Sequence, residues 1–281
     1  MTGTCPVAFF LSDSTGITAE TLGNTLITQF PEQDFERHTV PFIITVERAR
    51  QVAARIDAVA AAGRMPVVFS TVVDPVIRDV LAGSQGFFVD LFGTHLPQLE
   101  AALHARANLR PGRAHGLVDA TRYQSRMAAV EYAMEHDDGQ SVRALERADL
   151  ILIAPSRCGK TPTTMYLALQ HGIRVANFPL VDEDFERRAL PAPVAPHTGK
   201  CFGLTSQPLR LSQVRQERRP ATVYASLAQC SWELRNAEEL YALNSIPHVN
   251  SASMSVEEIS ATILERMELD EADHEQAGRI R

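Results

Sequence analysis

The sequence predicts an α/β fold: mostly parallel sheets flanked by helices, with an N-terminal α/β domain and a C-terminal phosphate-loop (P-loop) kinase-like domain. Short, nearly continuous apolar runs alternate with stretches of helical periodicity along the whole chain, the pattern of strands covered on both faces. Two of the strand-to-helix junctions are crowded with the residue types that bind anions. The length, 281 residues with 45% hydrophobic and 22% charged content, fits one large α/β unit or two compact domains and argues against disorder or a coiled coil.

The first strand is expected at Val7-Ala8-Phe9-Phe10-Leu11, followed by small polar residues and a helix with Leu22, Leu26 and Phe30 at four-residue steps. A second apolar run, residues 41–46, precedes a helix whose Val52, Ile56 and Val59 share one face and whose stop is Gly63. A third run, 66–73, ends at Asp74-Pro75, an N-cap with proline at the first helical position. A fourth follows at 86–91. Residues 108–113, Asn-Leu-Arg-Pro-Gly-Arg, mark a break. The next helix, capped by Thr121 with Met127, Val130 and Met134 inward, closes at His136-Asp137-Asp138-Gly139 and connects the two domains.

The domains are thus expected over residues 1–145 and 146–281. Strands of the second are expected at 150–153, 173–178, 201–204 and 247–249. The last helix opens with a capping box, Ser255 and Glu258, and carries Ile259, Ile263 and Met267 on one face. No internal repeat is visible, and the tail from Asp270 is polar.

Charge narrows the function classes. A net charge of −7, from 27 basic and 34 acidic residues, argues against a broad nucleic-acid footprint but leaves room for a local anion site. No apolar stretch approaches the roughly 20 residues needed to cross a bilayer, and no secretory signal pattern opens the chain. Four separated cysteines, Cys5, Cys158, Cys201 and Cys230, form neither a zinc ribbon nor a disulfide framework, so reduced thiols in a cytoplasm are expected. The nine histidines lack metal-ligand spacing.

The most informative segment is Ile151-Leu152-Ile153-Ala154-Pro155-Ser156-Arg157-Cys158-Gly159-Lys160-Thr161. It fits the strand–loop–helix phosphate cradle except that Ala154 replaces the first glycine. Gly159 lets backbone N–H groups close on a phosphate, Lys160 places a charge on the transferred group, and the Thr161 hydroxyl is a Mg²⁺ ligand. Residues 154–161 are therefore the expected nucleotide-binding loop. A second loop, Ser12-Asp13-Ser14-Thr15-Gly16-Ile17-Thr18, suits an anion or phosphorylated side chain through Ser12, Ser14, Thr15 and Thr18, with Asp13 as a proton acceptor or metal ligand; helix capping explains the same residues equally well.

Asp137, Asp138 and Asp182 are candidates for Mg²⁺ binding or general base, against a simpler reading as solvated acids at element ends. Arg215, Arg218 and Arg219 read by default as a solvated helical face, and Trp232 as core or interface.

Taken together, Ser12-Asp13-Ser14-Thr15-Gly16-Ile17-Thr18-Ala19-Glu20, His136-Asp137-Asp138-Gly139, Ser156-Arg157-Cys158-Gly159-Lys160-Thr161-Pro162-Thr163, Ala176-Asn177-Phe178-Pro179-Leu180, Phe202-Gly203-Leu204-Thr205, Tyr224-Ala225-Ser226 and Ile246-Pro247-His248-Val249-Asn250 resemble the bifunctional regulatory proteins of phosphoenolpyruvate synthetase and of pyruvate, phosphate dikinase. The resemblance covers nearly the whole chain apart from the tail; the family usually has glycine where this chain has Ala154. It implies a serine/threonine kinase that uses ADP, not ATP, to phosphorylate a threonine of its target enzyme, which inactivates the target and yields AMP. It also implies reversal with inorganic phosphate, releasing pyrophosphate.

The Cys-Gly-Lys-Thr form of the loop points to phosphoenolpyruvate synthetase as the protein substrate, with the dikinase as the alternative target. A non-catalytic nucleotide-sensing module and an ATP-using small-molecule kinase are the competing classes. A homodimer is compatible with the apolar-faced helices. With ADP as donor the β phosphoryl is the group that moves, so Lys160 serves the transferred group itself. A single cradle is then expected to hold the α and β phosphates of ADP in one direction and pyrophosphate in the other.

Overall fold

The computed structural model describes residues 5–109 and 120–269. The chain divides into two compact units, Met1–Leu117 and Val118–Arg281, each built on one four-stranded sheet. In the first, β1 (Val7–Leu11), β2 (Glu36–Val40), β3 (Pro66–Ser70) and β4 (Phe87–Asp90) lie in the order β2-β1-β3-β4, every pair parallel. β1 is buried throughout, and its alternation serves two cores. Val7, Phe9 and Leu11 pack with α2 (Val46–Ala61) and α3 (Pro75–Ala82), while Ala8 and Phe10 pack with α1 (Ile17–Ile27) and the start of α4 (Leu91–Leu103). Each such large side chain contributes about 1.5–3 kcal/mol by leaving water.

The helix caps follow local chemistry. Thr45 accepts from the Arg48 N–H to start α2, and Asp74 accepts from Val76 and Ile77 to start α3, with Pro75 at its first position.

Two sequence expectations change here. Leu22, Leu26 and Phe30 point outward, at 44%, 47% and 59% exposure. α1 rides on the sheet through Ala19 and Gly23 instead, so close that a Cβ at Gly23 would collide with the rings of Phe10 and Phe69. The second strand is Glu36–Val40 and not residues 41–46. As an edge strand it tolerates charge, and Phe42, in the left-handed region at φ 57, ends the extended run.

In the second unit, β5 (Leu150–Ala154), β6 (Val175–Pro179), β7 (Cys201–Thr205) and β8 (His248–Asn250) lie in the order β6-β5-β7-β8, again all parallel. Ile151 and Ile153 enter one core with α5 (Ala120–Glu135), α7 (Asp182–Arg187) and α9 (Leu227–Leu243). Leu150, Leu152 and Ala154 enter the other with α8 (Pro208–Arg218) and α10 (Val256–Arg266). α6 (Lys160–Tyr166) runs on without interruption into a π-helical turn, Leu167–His171.

α5 packs against β6 and that π turn, so the helix expected to connect the domains lies within the second unit, as does the expected boundary at 145/146. Its buried face is Ala129, Tyr132, Ala133 and His136, with Met134 outside; the expected cap at Thr121 lies outside the described side chains. The Ser255–Glu258 capping box is present, with both reciprocal bonds.

No repeat is visible in the sequence, yet both units share one wiring. In each, the first strand lies between the second and third, and four residues separate its end from a glycine in the left-handed region that caps the next helix: Leu11 to Gly16 (φ 87) and Ala154 to Gly159 (φ 91). This first-strand loop stands at the point where the strand order reverses, the place at which open parallel sheets bind ligands.

Candidate active site

The loop after β5 is shaped by backbone more than by side chains. Ala154 closes the strand in extended backbone, paired with Pro179, so the missing glycine costs nothing there. Arg157 (φ 73) and Gly159 (φ 91) both occupy the left-handed region. That conformation is strained for Arg157.

Lys160 is buried, and its Nζ donates to the carbonyls of Ala154 and Pro155 at 3.2 and 3.3 Å. Burial pulls the lysine below its ordinary range, opposed by the charge of Asp138, whose carboxylate lies 3.8 Å away. The Cys158 side chain turns into the core, and burial pushes its thiol up to about 12. It is inert as a nucleophile at neutral pH.

Residues 136–139 join α5 to the second sheet and lie beside the start of α6. His136 is anchored through its ring nitrogens to the carbonyls of Tyr132 and Arg143, at 2.8 and 2.7 Å. Beyond it Asp137 accepts the Thr161 hydroxyl at 2.8 Å and, on the same oxygen, Asn177 Nδ2 at 2.6 Å. Asn177 is wholly buried in β6, and its Oδ1 accepts from the Asp138 N–H at 2.8 Å. Asp138 sits at φ 53, a left-handed backbone that this amide helps hold. The two aspartates therefore do not merely cap a solvated helix end; they are clamped beside Thr161 and Lys160.

Asp182 is placed differently. Among the described residues its carboxylate receives Gln229 Nε2, at 3.2 Å to either oxygen, and bonds to no residue of the loop. Asp182 to Asp184 form the first turn of α7, with Asp184 accepting from the Val181 N–H.

Arg215 is not on a solvated face: its side chain is wholly buried. The guanidinium donates to both Glu233 oxygens at 2.9 and 2.6 Å, to the Tyr224 carbonyl at 3.0 Å and to the Ser156 carbonyl at 3.0 and 3.3 Å. It also stacks over the Tyr224 ring, whose hydroxyl donates to Ser156 Oγ at 3.0 Å. Burial works against the Arg215 charge, but the Glu233 carboxylate outweighs it and the guanidinium is held above its ordinary range. This cluster grips the loop from behind.

The first-unit loop is tied more tightly than a free anion site. Asp13 is buried and accepts from the Val73 N–H at 2.9 Å; burial raises its carboxyl above the ordinary value, with the charge of Asp74 adding and the Val73 bond opposing. Ser12 Oγ accepts from the Ser14 N–H at 3.1 Å. Ser14 and Thr18 are half-buried and Thr15 is exposed.

Sequence reasoning missed Asn177, Tyr224 and Glu233 as supports of the site. An asparagine inside the apolar run Val175–Pro179 was the available signal, because a buried amide needs partners.

Fold and loop together have the makings of a phosphotransferase: a strand-to-helix turn closed by a left-handed glycine, a buried cation, a hydroxyl, one clamped carboxylate and a second, exposed one beside the cation. The chain belongs to the kinase/pyrophosphorylase family, whose model matches residues 8–264. It is similar to proteins provisionally named phosphoenolpyruvate synthase regulatory protein. One, from Bordetella parapertussis, is 46% identical over 263 residues, 93% of this chain and 96% of the relative. Others, from Pseudomonas putida strain W619 and Stutzerimonas stutzeri, are each 47% identical over 258 residues, 92% of this chain and 95% of the relative.

Proposed function

We propose that this protein phosphorylates a threonine of phosphoenolpyruvate synthetase with ADP, inactivating it, and removes the phosphoryl group with inorganic phosphate, releasing pyrophosphate. The single observation that carries the chemistry is the convergence of Lys160, Thr161, Asp137 and Asp138 on one loop. Family membership and the relatives' names support the reaction class and the target.

In the forward direction the threonine oxygen attacks the β phosphorus of ADP. The bond from that phosphorus to the bridging oxygen breaks, AMP leaves, and the hydroxyl proton passes to Asp138, the more exposed of the two aspartates. In reverse, an oxygen of inorganic phosphate attacks the phosphothreonine phosphorus. The bond to the threonine oxygen breaks, that oxygen takes back a proton, and pyrophosphate occupies the same cradle. Lys160 neutralises the moving group in both directions, leaving its resting carbonyl partners for phosphate oxygens.

Thr161 Oγ1 and the Asp137 carboxylate would hold Mg²⁺, which supplies charge neutralisation at the phosphates when bound. Among the described residues no cluster of three acidic, histidine or cysteine side chains is positioned to hold a metal alone. That fits an ion which takes one or two protein oxygens and completes its shell with water and substrate phosphate. The hydroxyls of Ser12, Ser14, Thr15 and Thr18, in the first unit, are assigned to recognition of the protein substrate, and Asp182 is assigned no chemical step.

The test is to incubate the protein with the synthetase and ADP and weigh the synthetase by mass spectrometry. A gain of one phosphate on a threonine with matching AMP release is expected, and loss of that phosphate on adding inorganic phosphate. The same assay on pyruvate, phosphate dikinase decides between targets. Tight ADP binding without transfer would mean a nucleotide sensor, and turnover only with ATP and a metabolite a small-molecule kinase.

A further inference from the structure

The turn that carries Asp138 is pinned from several sides. The His136 ring is bonded between two carbonyls, and its own carbonyl accepts from the Asn177 N–H at 3.2 Å. Asp138 and Gly139 follow each other in the left-handed region, at φ 53 and φ 73. The Asp138 N–H is spent on Asn177 Oδ1, and a Cβ at Gly139 would press on Phe178 and Pro179 at 3.3 and 3.4 Å. The backbone under the Asp138 carboxylate is therefore fixed against β6. The carboxylate itself is 60% exposed, while the Lys160 side chain, 3.8 Å from it, is 4% exposed. It stands on the solvent side of the buried cation.

That position sets a charge limit. Among the described residues the one ion pair of Asp138 is with Lys160, whose other partners are the neutral carbonyls of Ala154 and Pro155. In a phosphate loop that uses ATP, the lysine serves the two outermost phosphates, β and γ. Here a fixed anion already occupies one side of the lysine. A terminal β phosphate can still take the cation from the loop side. A further phosphate beyond it would meet a carboxylate where an ATP-using loop offers positive charge, and like charges in contact repel far more strongly beside protein than in bulk water.

We propose that Asp138 is the specificity-determining residue that limits the phosphate chain to two units, its carboxylate standing beside Lys160 in the place of a γ phosphate. The inference rests on reading the loop as a diphosphate cradle and adds the residue that does the counting. It agrees with the part of Asp138 as proton acceptor. A hydroxyl attacking the β phosphorus in line arrives on the side away from the leaving AMP, which is the side a third phosphate would extend into. Because the limit acts on phosphates alone, it holds for inorganic chains as well as for nucleotides.

The test measures binding to the full chain by calorimetry at low ionic strength without Mg²⁺, so that the charge near the phosphates is the protein's own. Two pairs of ligands are compared, ADP with ATP and pyrophosphate with tripolyphosphate, in the wild type, Asp138→Asn and Glu183→Gln. Asparagine tolerates left-handed backbone as aspartate does, so the first variant keeps the turn. Glu183, exposed in the first turn of α7, controls for the change in net charge. The wild type and Glu183→Gln are expected to bind the shorter ligand of each pair at least tenfold more tightly. Asp138→Asn is expected to cut both preferences to threefold or less, the longer ligands gaining most. Equal wild-type affinities within a pair, no measurable binding of any ligand, preferences kept in Asp138→Asn, or preferences lost equally in Glu183→Gln would each overturn the proposal. So would a preference lost for the nucleotides but kept for the inorganic pair, which would place the discrimination at the nucleoside. Because binding is measured without the target enzyme, absence of phosphoryl transfer would defeat the proposed function while leaving this result standing.

Discussion

The Thr161 hydroxyl and the Asn177 side-chain amide converge on one oxygen of Asp137, at 2.8 and 2.6 Å. One buried amide of β6 thereby sets the place of a carboxylate 40 residues earlier in the chain and, through its own oxygen, the backbone of Asp138. Asn177→Leu keeps the branched shape and removes both bonds. Catalysis is expected to fall at least tenfold in both directions, because both use the same carboxylates. Leaving the Asp138 N–H and the Asp137 oxygen without their partner costs about 1–3 kcal/mol, readable by urea denaturation.

Arg215 and Glu233 form a buried ion pair whose net worth to stability is small, though breaking it is costly. Arg215→Met alone strands Glu233 and is expected to destabilise by about 3–5 kcal/mol. The double change Arg215→Met with Glu233→Leu should regain most of that stability. Activity should stay low in both, since neither restores the bonds to the Ser156 carbonyl. Recovery of activity along with stability would show that the pair does not position the loop.

Lys160 is a cation held in the interior for function. Its folded pKa lies below the ordinary 10.5, so between those two values the unfolded chain binds more protons and stability rises with pH. Lys160→Met is therefore expected to be inactive but more stable at pH 7, by about 1 kcal/mol or some 2–4 °C in Tm. That advantage should shrink as pH climbs towards 10.5, which a series of thermal melts would record.

Asp13 behaves in the opposite sense. Its carboxyl is raised above 3.8 by burial, so its stabilising contribution is complete below that pH and is lost as pH rises through the folded value. Asp13→Asn can still accept from the Val73 N–H. It is expected to exceed the wild type in stability at pH 7 and to lose that margin below pH 3.8.

The parts legible in the sequence are those encoded by neighbours. The run Leu150–Ala154 followed by Gly159 and Lys160 specifies strand, turn and helix within a dozen positions, and Ser255 with Glu258 specifies a helix start in four. What escaped depends on partners far along the chain. Arg215 meets Ser156 across 59 residues, and without that partner an arginine amid Arg218 and Arg219 reads as solvent-facing. The outward turn of Leu22 and Leu26 has a similar cause: Gly23 is small enough to bring α1 onto Phe10, and no periodicity count reveals that the glycine side wins. The repeated wiring of the two units was hidden because their loops share a length and a left-handed closing glycine but few side chains.

The most direct test of one cradle serving both reactions is Lys160→Ala, assayed for ADP-dependent phosphorylation of the synthetase and, separately, for phosphate-dependent release of pyrophosphate from the phosphorylated synthetase. Both rates are expected to fall together, by a hundredfold or more. Loss of the first with the second fully retained would show that the two reactions use different sites.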